Sequence, residues 1–294
     1  MNTKQKAEAE AKQKAKKAAE AAAAKGGAVA APAGTALVDG KIDFAADAGA
    51  GLEGADKDSF AIPFLAILQP NSPQVVDGVI VGARAGMFLN TVTLALFEKP
   101  RFIPCAFQRR WIRWGAREAG GGFKGEFTTS QANELREKKQ VVELDGRLYF
   151  PDADGNINPK KNDRLSDTRS HFVVLCEGPE SELGAPAVLA LTSTNISTSK
   201  NLISRIDSRK VKTATGFVNA PSFSAVYEAK TEKKTNDKGT WFKAQIDVVG
   251  DVTNASLYAQ AKAFHAQVTA GKVKVDHEKG LNPDDSGGAP QEGF

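Results

Sequence analysis

The sequence predicts a mainly β protein, a barrel or sandwich with one or two helices and disordered N- and C-terminal arms. Three observations carry that prediction. Short apolar runs are cut every few residues by Pro, Gly and Asn; two alternating segments flank a strong turn signal; and helical periodicity is confined to two short stretches. At 294 residues and 41% hydrophobic content the chain can bury a core, as one large domain or two small ones.

Residues 1–25 are almost entirely Ala, Lys, Glu and Gln, strong helix formers that lack large apolar side chains for docking. A fraying helix or a disordered arm is expected there. Gly26 to Gly54 reads as linker, so arm and linker fill residues 1–57 and a core spans 58–275. The core opens near Ser59-Phe60-Ala61-Ile62-Pro63. Strand-like runs follow at Phe64 to Leu68, Met87 to Leu89, Val92 to Phe97 and Phe102 to Trp114. A second block runs through Gln140 to Val142, Arg147 to Phe150, Phe172 to Cys176 and Ala187 to Leu191, with a short surface helix over residues 129–139. Phe223 to Thr231 and Thr240 to Val249 are alternating strands joined by Asn236-Asp237-Lys238-Gly239, a hairpin signal. Trp241, Lys243, Gln245 and Asp247 share one face of the second strand, and Phe242, Ala244, Ile246 and Val248 share the apolar one. The last element is a helix from about Asn254 to Ala270, capped by Asn254 and stopped by Gly271, with Leu257, Ala261, Phe264 and Val268 on one stripe. Residues 276–294 form an acidic flexible tail.

The net charge of +4 is unevenly spread. Residues 1–26 carry +4, residues 27–58 carry −4 and residues 276–294 carry −4, which leaves +8 on residues 59–275. A basic body between acidic flanks favours a polyanionic partner. Cys105 and Cys176 lie in apolar runs and read as reduced core thiols of a cytoplasmic protein. No run approaches the ~20 apolar residues of a membrane helix, and the N-terminus lacks the apolar segment of a signal peptide.

Catalytic constellations are missing from the sequence. It contains no Gly-x-x-x-x-Gly-Lys loop, no Gly-x-Ser-x-Gly elbow and no His-Glu-x-x-His helix, and His171, His265 and His277 are isolated from one another. The loop Asp152-Ala153-Asp154-Gly155-Asn156-Ile157-Asn158 departs from calcium-loop spacing and reads as a turn. The expectation is a protein that is not an enzyme and takes no cofactor or metal.

Phe107-Gln108-Arg109-Arg110-Trp111-Ile112-Arg113-Trp114-Gly115-Ala116-Arg117 interleaves four arginines with three aromatics and holds no acid. As a strand it sets Phe107, Arg109, Trp111 and Arg113 on one face and Gln108, Arg110, Ile112 and Trp114 on the other. Arg109, Arg110, Arg113 and Arg117 are candidates to neutralise phosphates, and Trp111 and Trp114 to stack bases. The glycine-rich run Gly120-Gly121-Gly122-Phe123-Lys124-Gly125 reads as a mobile basic loop, adding Lys124. The polar stretch from Thr192 to Lys200, followed by Arg205, Arg209, Lys210 and Lys212, suits phosphate and sugar contacts, with Lys200, Arg205 and Lys210 as candidates. Trp241 with Lys243 extends the track. The same patterns also suit a solubilised edge strand, a solvated helix or a protein interface. At the other end, Asp284, Asp285, Glu292 and the terminal Phe294 read as a docking tag for a protein partner.

This layout resembles the single-stranded DNA-binding proteins of tailed-phage replication systems, including the T7 kind. The segment from Asp58 to Phe123, with Pro63, Gln69-Pro70, Gly86 to Thr93 and Arg109 to Trp114, also looks like a family of phage-encoded proteins of uncertain role. The resemblance implies an oligonucleotide-binding (OB-fold-like) core that coats single-stranded DNA without sequence preference in replication or recombination. It also implies replication proteins as partners of the tail, although this tail has fewer acids than such tails carry. A homo-oligomer is compatible with it. The alternatives are a phage structural or assembly protein and a strand-annealing recombination protein.

Overall fold

The computed structural model describes residues 37–38, 41–42, 50–55, 61–116, 118, 120–176, 184–237 and 239–277. The chain divides after Asp56 into two units. In the first, β1 (Leu37–Val38) and β2 (Lys41–Ile42) make a two-residue antiparallel pair. The second unit holds all other elements and is mainly β, as the sequence predicts.

Two long strands, β6 (Arg101–Trp114) and β10 (Arg164–Cys176), pair antiparallel along their whole length. The register slips once, leaving Cys105 as an extra residue beside Pro104. A bulge there accommodates a proline that has no N–H to give to a ladder. Around this pair the remaining strands divide the available edges. The first half of β6 meets β14 (Ala225–Asn236), which forms a long hairpin with β15 (Gly239–Asp251). The second half meets β7 (Phe123–Phe127). On the far side of β10 lie β11 (Gly184–Thr192) and β9 (Arg147–Tyr149), the latter also paired with β8 (Val142–Leu144). A smaller sheet comprises β3 (Leu65–Ile67), β4 (Phe88–Asn90) and β5 (Leu96–Phe97).

Alternation along these strands gives the central sheet two buried faces. Phe102, Val173, Leu175, Leu189 and Leu191 pack with Tyr227, Ala244 and Ile246 of the hairpin and with Leu65 and Phe88 of the small sheet, in a sandwich-like layer. Ile103, Cys105, Phe172, Val174 and Val188 lie on the other face, beneath helix α4 (Ala255–Thr269). That helix follows the sequence expectation: Asn254 Oδ1 accepts from Leu257 N at 3.0 Å, and its buried residues are Leu257, Ala261, Phe264 and Val268. A third cluster gathers Trp111, Leu148 and Leu165 under helix α2 (Thr129–Glu137), whose Thr128 and Gln131 form a reciprocal capping box. A short helix, α1 (Pro73–Val76), follows β3; helix α3 (Ile196–Ser208) follows β11 and leads into a two-stranded ribbon, β12 (Lys210–Thr213) and β13 (Gly216–Asn219).

Three local expectations are corrected. Val92 to Ala95 is a turn, because Asn90 Oδ1 accepts from both Val92 N and Thr93 N at 3.0 Å and Leu94 takes φ 59°; only Leu96–Phe97 extends. The run read as a mobile loop reverses β6 into β7 through Gly120, Gly121 and Gly122, with φ 90°, 63° and 84°, and its second half is strand. The polar stretch after Thr192 is a helix, α3, as one of its two readings had it, but it is not solvated all round: Ile196, Thr198, Ser199 and Leu202 are buried. The Asp152 loop is a turn, as expected, with Asp152 Oδ1 accepting from Asp154 N and Asn156 N.

Because Phe264 is buried between α4 and Phe172, at 6.3 Å between ring centroids, Phe264→Ala removes a core ring without a replacement. We expect a loss of about 3–5 kcal/mol in urea unfolding. Phe217→Ala, on the exposed ribbon, is the control and should change stability little.

Candidate nucleic-acid interface

The β6–β10 register puts Phe107, Arg109, Trp111 and Arg113 opposite His171, Arg169, Asp167 and Leu165, so the alternation read from sequence holds. Their surroundings differ from the expectation. Trp111 is 2% exposed and packs in the α2 cluster, and Trp114 is 6% exposed with its ring edge-on to Phe123. The base-stacking role read for both indoles is therefore corrected to a core role, since neither offers a free ring face to solvent. The short helix over residues 129–139 was read from the sequence as a surface element; as α2 it covers Trp111, and Arg136 lies 4.8 Å above the indole.

The arginines are held by acids from distant positions. Arg109 donates through Nε and Nη2 to Asp167 Oδ1 and Oδ2 at 2.9 and 2.8 Å, a two-pronged pair to a carboxylate with no exposure. Arg169 reaches the same carboxylate at 3.4 Å. Arg113 donates to Asp163 Oδ2 at 2.8 Å and lies 4.0 Å over the Phe150 ring, while Lys124 Nζ donates to Asp163 Oδ1 at 2.9 Å. On the opposite face Arg110 pairs with Glu126 at 3.6 Å, which also meets His277 at 3.3 Å. Burial pushes the Asp163 carboxyl up, but hydrogen bonds from Lys124 and Arg113 outweigh it and hold the group below the usual carboxylate range. Arg109, Arg169, Arg113 and Lys124 share two carboxylates, so this half of β6 keeps a surplus of two positive charges.

The other candidates lie on α3, the ribbon and β15. Lys200 is exposed on α3. Arg205 Nη1 donates to Ile246 O at 2.5 Å and to Asp247 Oδ1 at 3.0 Å, fixing α3 against β15. Lys210 bonds Asn219 across the ribbon. Trp241 and Lys243 are half-buried in β15, opposite Lys234 and Glu232. Arg205 thus sits at the α3–β15 contact, Trp241 and Lys243 lie farther along β15 toward its turn, and the β6 arginines form a separate group. Arg117 and the tail residues Asp284, Asp285, Glu292 and Phe294 lie outside the described residues.

Sequence reading left out Phe217 and placed Lys212 in the basic stretch suited to phosphate and sugar contacts without naming it a candidate. In the ribbon Lys210 stands opposite Asn219 and Lys212 opposite Phe217, so these four share one face. Phe217 is 73% exposed. The alternation on both sides of Thr213-Ala214-Thr215-Gly216 was a legible hairpin signal.

The histidines are isolated in sequence but not in space. His171 Nε2 lies 2.8 Å from Ser199 Oγ, and His265 Nδ1 lies 2.8 Å from the Cys105 carbonyl oxygen. Burial, aided by the Arg169 charge, pushes His171 down to about 3, while burial pushes the Cys105 thiol up to about 12. Among the described residues no group of three His, Cys, Asp or Glu side chains could hold a metal ion, and no helix is long and apolar enough to cross a membrane.

The His171 environment fixes the sign of a pH dependence. Its folded form stays neutral where the unfolded residue, near pKa 6.5, takes a proton, so its contribution is complete above that value and is lost as pH falls toward 3. Unfolding free energy should decline by roughly 1.4 kcal/mol per pH unit through this window from this residue alone. His171→Gln should remove that component in urea titrations at stepped pH; an unchanged slope would refute the assignment.

A family model described as Pam3 phage gp34-like protein matches residues 6–274. No curated protein and no solved structure matches the chain. The match runs through the core strands, the arginine–tryptophan segment, the ribbon and α4, and on it the chain belongs to the Pam3 phage gp34-like family, a family of phage proteins.

Proposed function

We propose that this phage protein binds single-stranded nucleic acid in replication or recombination, coating it without chemistry of its own. The observation that carries the reading is the β12–β13 ribbon, in which every residue of both strands is exposed. A ring as open as Phe217 serves no core, and Lys212 directly across from it has no acidic partner among the described residues. Cation and ring on one face are what gripping a phosphate and stacking its base require. Lys210 continues that face toward the body. The +8 charge of residues 59–275 and the surplus along β6 favour the same polyanion. Membership of a phage family supports the setting. His171 is locked on Ser199 in the interior, which speaks against a histidine-driven reaction.

A second reading, a phage assembly protein, draws on the end of α1 and the loop after it, where Val76, Val79 and Val81 are 64%, 72% and 95% exposed. Apolar side chains presented this way suit a protein contact.

Fluorescence anisotropy with labelled oligo(dT) separates the two readings. Binding should weaken with salt at a log-log slope of about −0.7 per phosphate contact. Lys212→Ala should make that slope shallower by about one contact, whereas Phe217→Ala should cost about 1–3 kcal/mol with the slope unchanged. Absent or salt-independent binding would leave the assembly reading.

A further inference from the structure

A cleft of about 430 Å³ opens at the root of the ribbon, between the bulged part of β6, the last turns of α3 and helix α4. Its volume falls in the range of small-molecule sites. The lining is largely aromatic and apolar. Phe107 is 41% exposed and tilts against His171 at 5.1 Å between ring centroids, and Ile203 and Ile206 add aliphatic wall. Of the polar groups, the Ser222 hydroxyl donates to the Cys105 carbonyl and the Thr269 hydroxyl to the His265 carbonyl, which leaves Asp207, Asn219 and His265 to meet a ligand. Asp207 is exposed, and one of its oxygens accepts from Asn219 Nδ2 at 3.5 Å, a length that leaves most of its capacity unused. His265 bonds the Cys105 carbonyl through Nδ1; a carbonyl only accepts, so Nδ1 carries the proton and Nε2 of the uncharged ring is an acceptor.

Asn219 belongs to both features. It lines the cleft, and it stands on the ribbon face with Lys210, Lys212 and Phe217. A strand lying along that face is delivered to the mouth of the cleft. The Asp207 carboxylate repels phosphate, while the ribbon lysines hold phosphate outside. What can enter is the uncharged, planar part of a nucleotide. Acceptors at the rim match the exocyclic amino group of cytosine, adenine or guanine, whereas thymine offers only its ring N3–H and turns the carbonyl oxygen O4 toward the carboxylate where cytosine turns its amino group.

We propose that this cleft takes one amino-bearing base of a single strand that crosses the ribbon, stacked against Phe107 with its amino edge toward Asp207. The proposal rests on the single-strand reading above and turns a coating protein without preference into one that disfavours thymine. Asp207 is the specificity-determining residue, and Phe107 supplies the stacking surface.

The test is anisotropy of the full chain with labelled oligo(dC) and oligo(dT) of equal length at one salt concentration, for the parent, Asp207→Ala and Lys212→Ala proteins. The parent should bind oligo(dC) roughly tenfold more tightly, the worth of one hydrogen bond to a charged group. Asp207→Ala should bring oligo(dC) down to the oligo(dT) level and leave oligo(dT) unchanged or slightly tighter. Lys212→Ala should weaken both alike. Equal binding of the two strands by the parent, or a preference that survives Asp207→Ala, overturns the cleft assignment while the single-strand reading stands. If neither strand binds, both fall. In a separate arm, dCMP alone should shift the His265 imidazole resonances and dTMP should not; a chain that prefers oligo(dC) without that shift places its preference elsewhere and overturns the proposal.

Discussion

The antiparallel ladder between β6 and β10 organises the rest of the molecule. Because the two strands stay paired from Arg101 against Cys176 to Trp114 against Arg164, every side chain but the bulged Cys105 is assigned a neighbour on the other strand. At one end that register assembles two apolar faces, Phe102 with Leu175 and Ile103 with Val174. At the other it sets Arg109 beside Arg169 and brings Asp167 between them. A carboxylate with no exposure is costly unless it is paired, and removing such a partner typically costs about 3–5 kcal/mol. The arginines of β6 are therefore structural ligands of β10 before they can be anything else. Only their charge surplus is left for a partner.

Once that ladder is in place, the sheet must deal with its edges. The hairpin strand β15 would expose backbone groups along its outer side. Side chains satisfy them instead: Gln69 exchanges two hydrogen bonds with Phe242, Asn195 and Thr198 take the N–H and C=O of Ala244, and Arg205 takes the C=O of Ile246. On β6 the gap between β14 and β7 is bridged at Cys105 by Ser222 and His265. The ribbon β12–β13 is treated differently. It is anchored only at its root, through Arg209 to Asp251 and Ala220 N to Arg209 O, and its face of lysines and phenylalanine is left to solvent. A two-stranded ribbon is marginal by itself, and this one holds an aromatic ring open to solvent, which is the surface feature on which the proposed function rests.

Polar groups in the interior are arranged to stay uncharged or neutralised. His171 is held neutral on Ser199, Cys105 stays protonated, and Asp163 is kept ionised by Lys124 and Arg113. The interior thus spends its polar residues on cohesion, and the surface around the ribbon is where charge and rings remain available.

Local signals were enough to read much of this from the sequence. Period-two alternation placed Phe107, Arg109, Trp111 and Arg113 on one face, the Asn236–Gly239 turn placed the long hairpin, and Asn254, Gly271 and the stripe from Leu257 to Val268 defined α4. Each depends on residues close in the chain, where backbone geometry alone fixes the outcome. The sequence could not say what lay against those faces. Whether Trp111 stacks on a base or fills a core depends on α2 folding over it, and whether Arg109 is free depends on Asp167, which is far away in the chain. The cleft likewise draws on β6, β10, α3, β13 and α4. A local pattern can mark a face for burial, as on α4, but which segment covers that face and which acid meets which arginine are properties of segments brought together across loops of dozens of residues; they were decided by the tertiary structure alone.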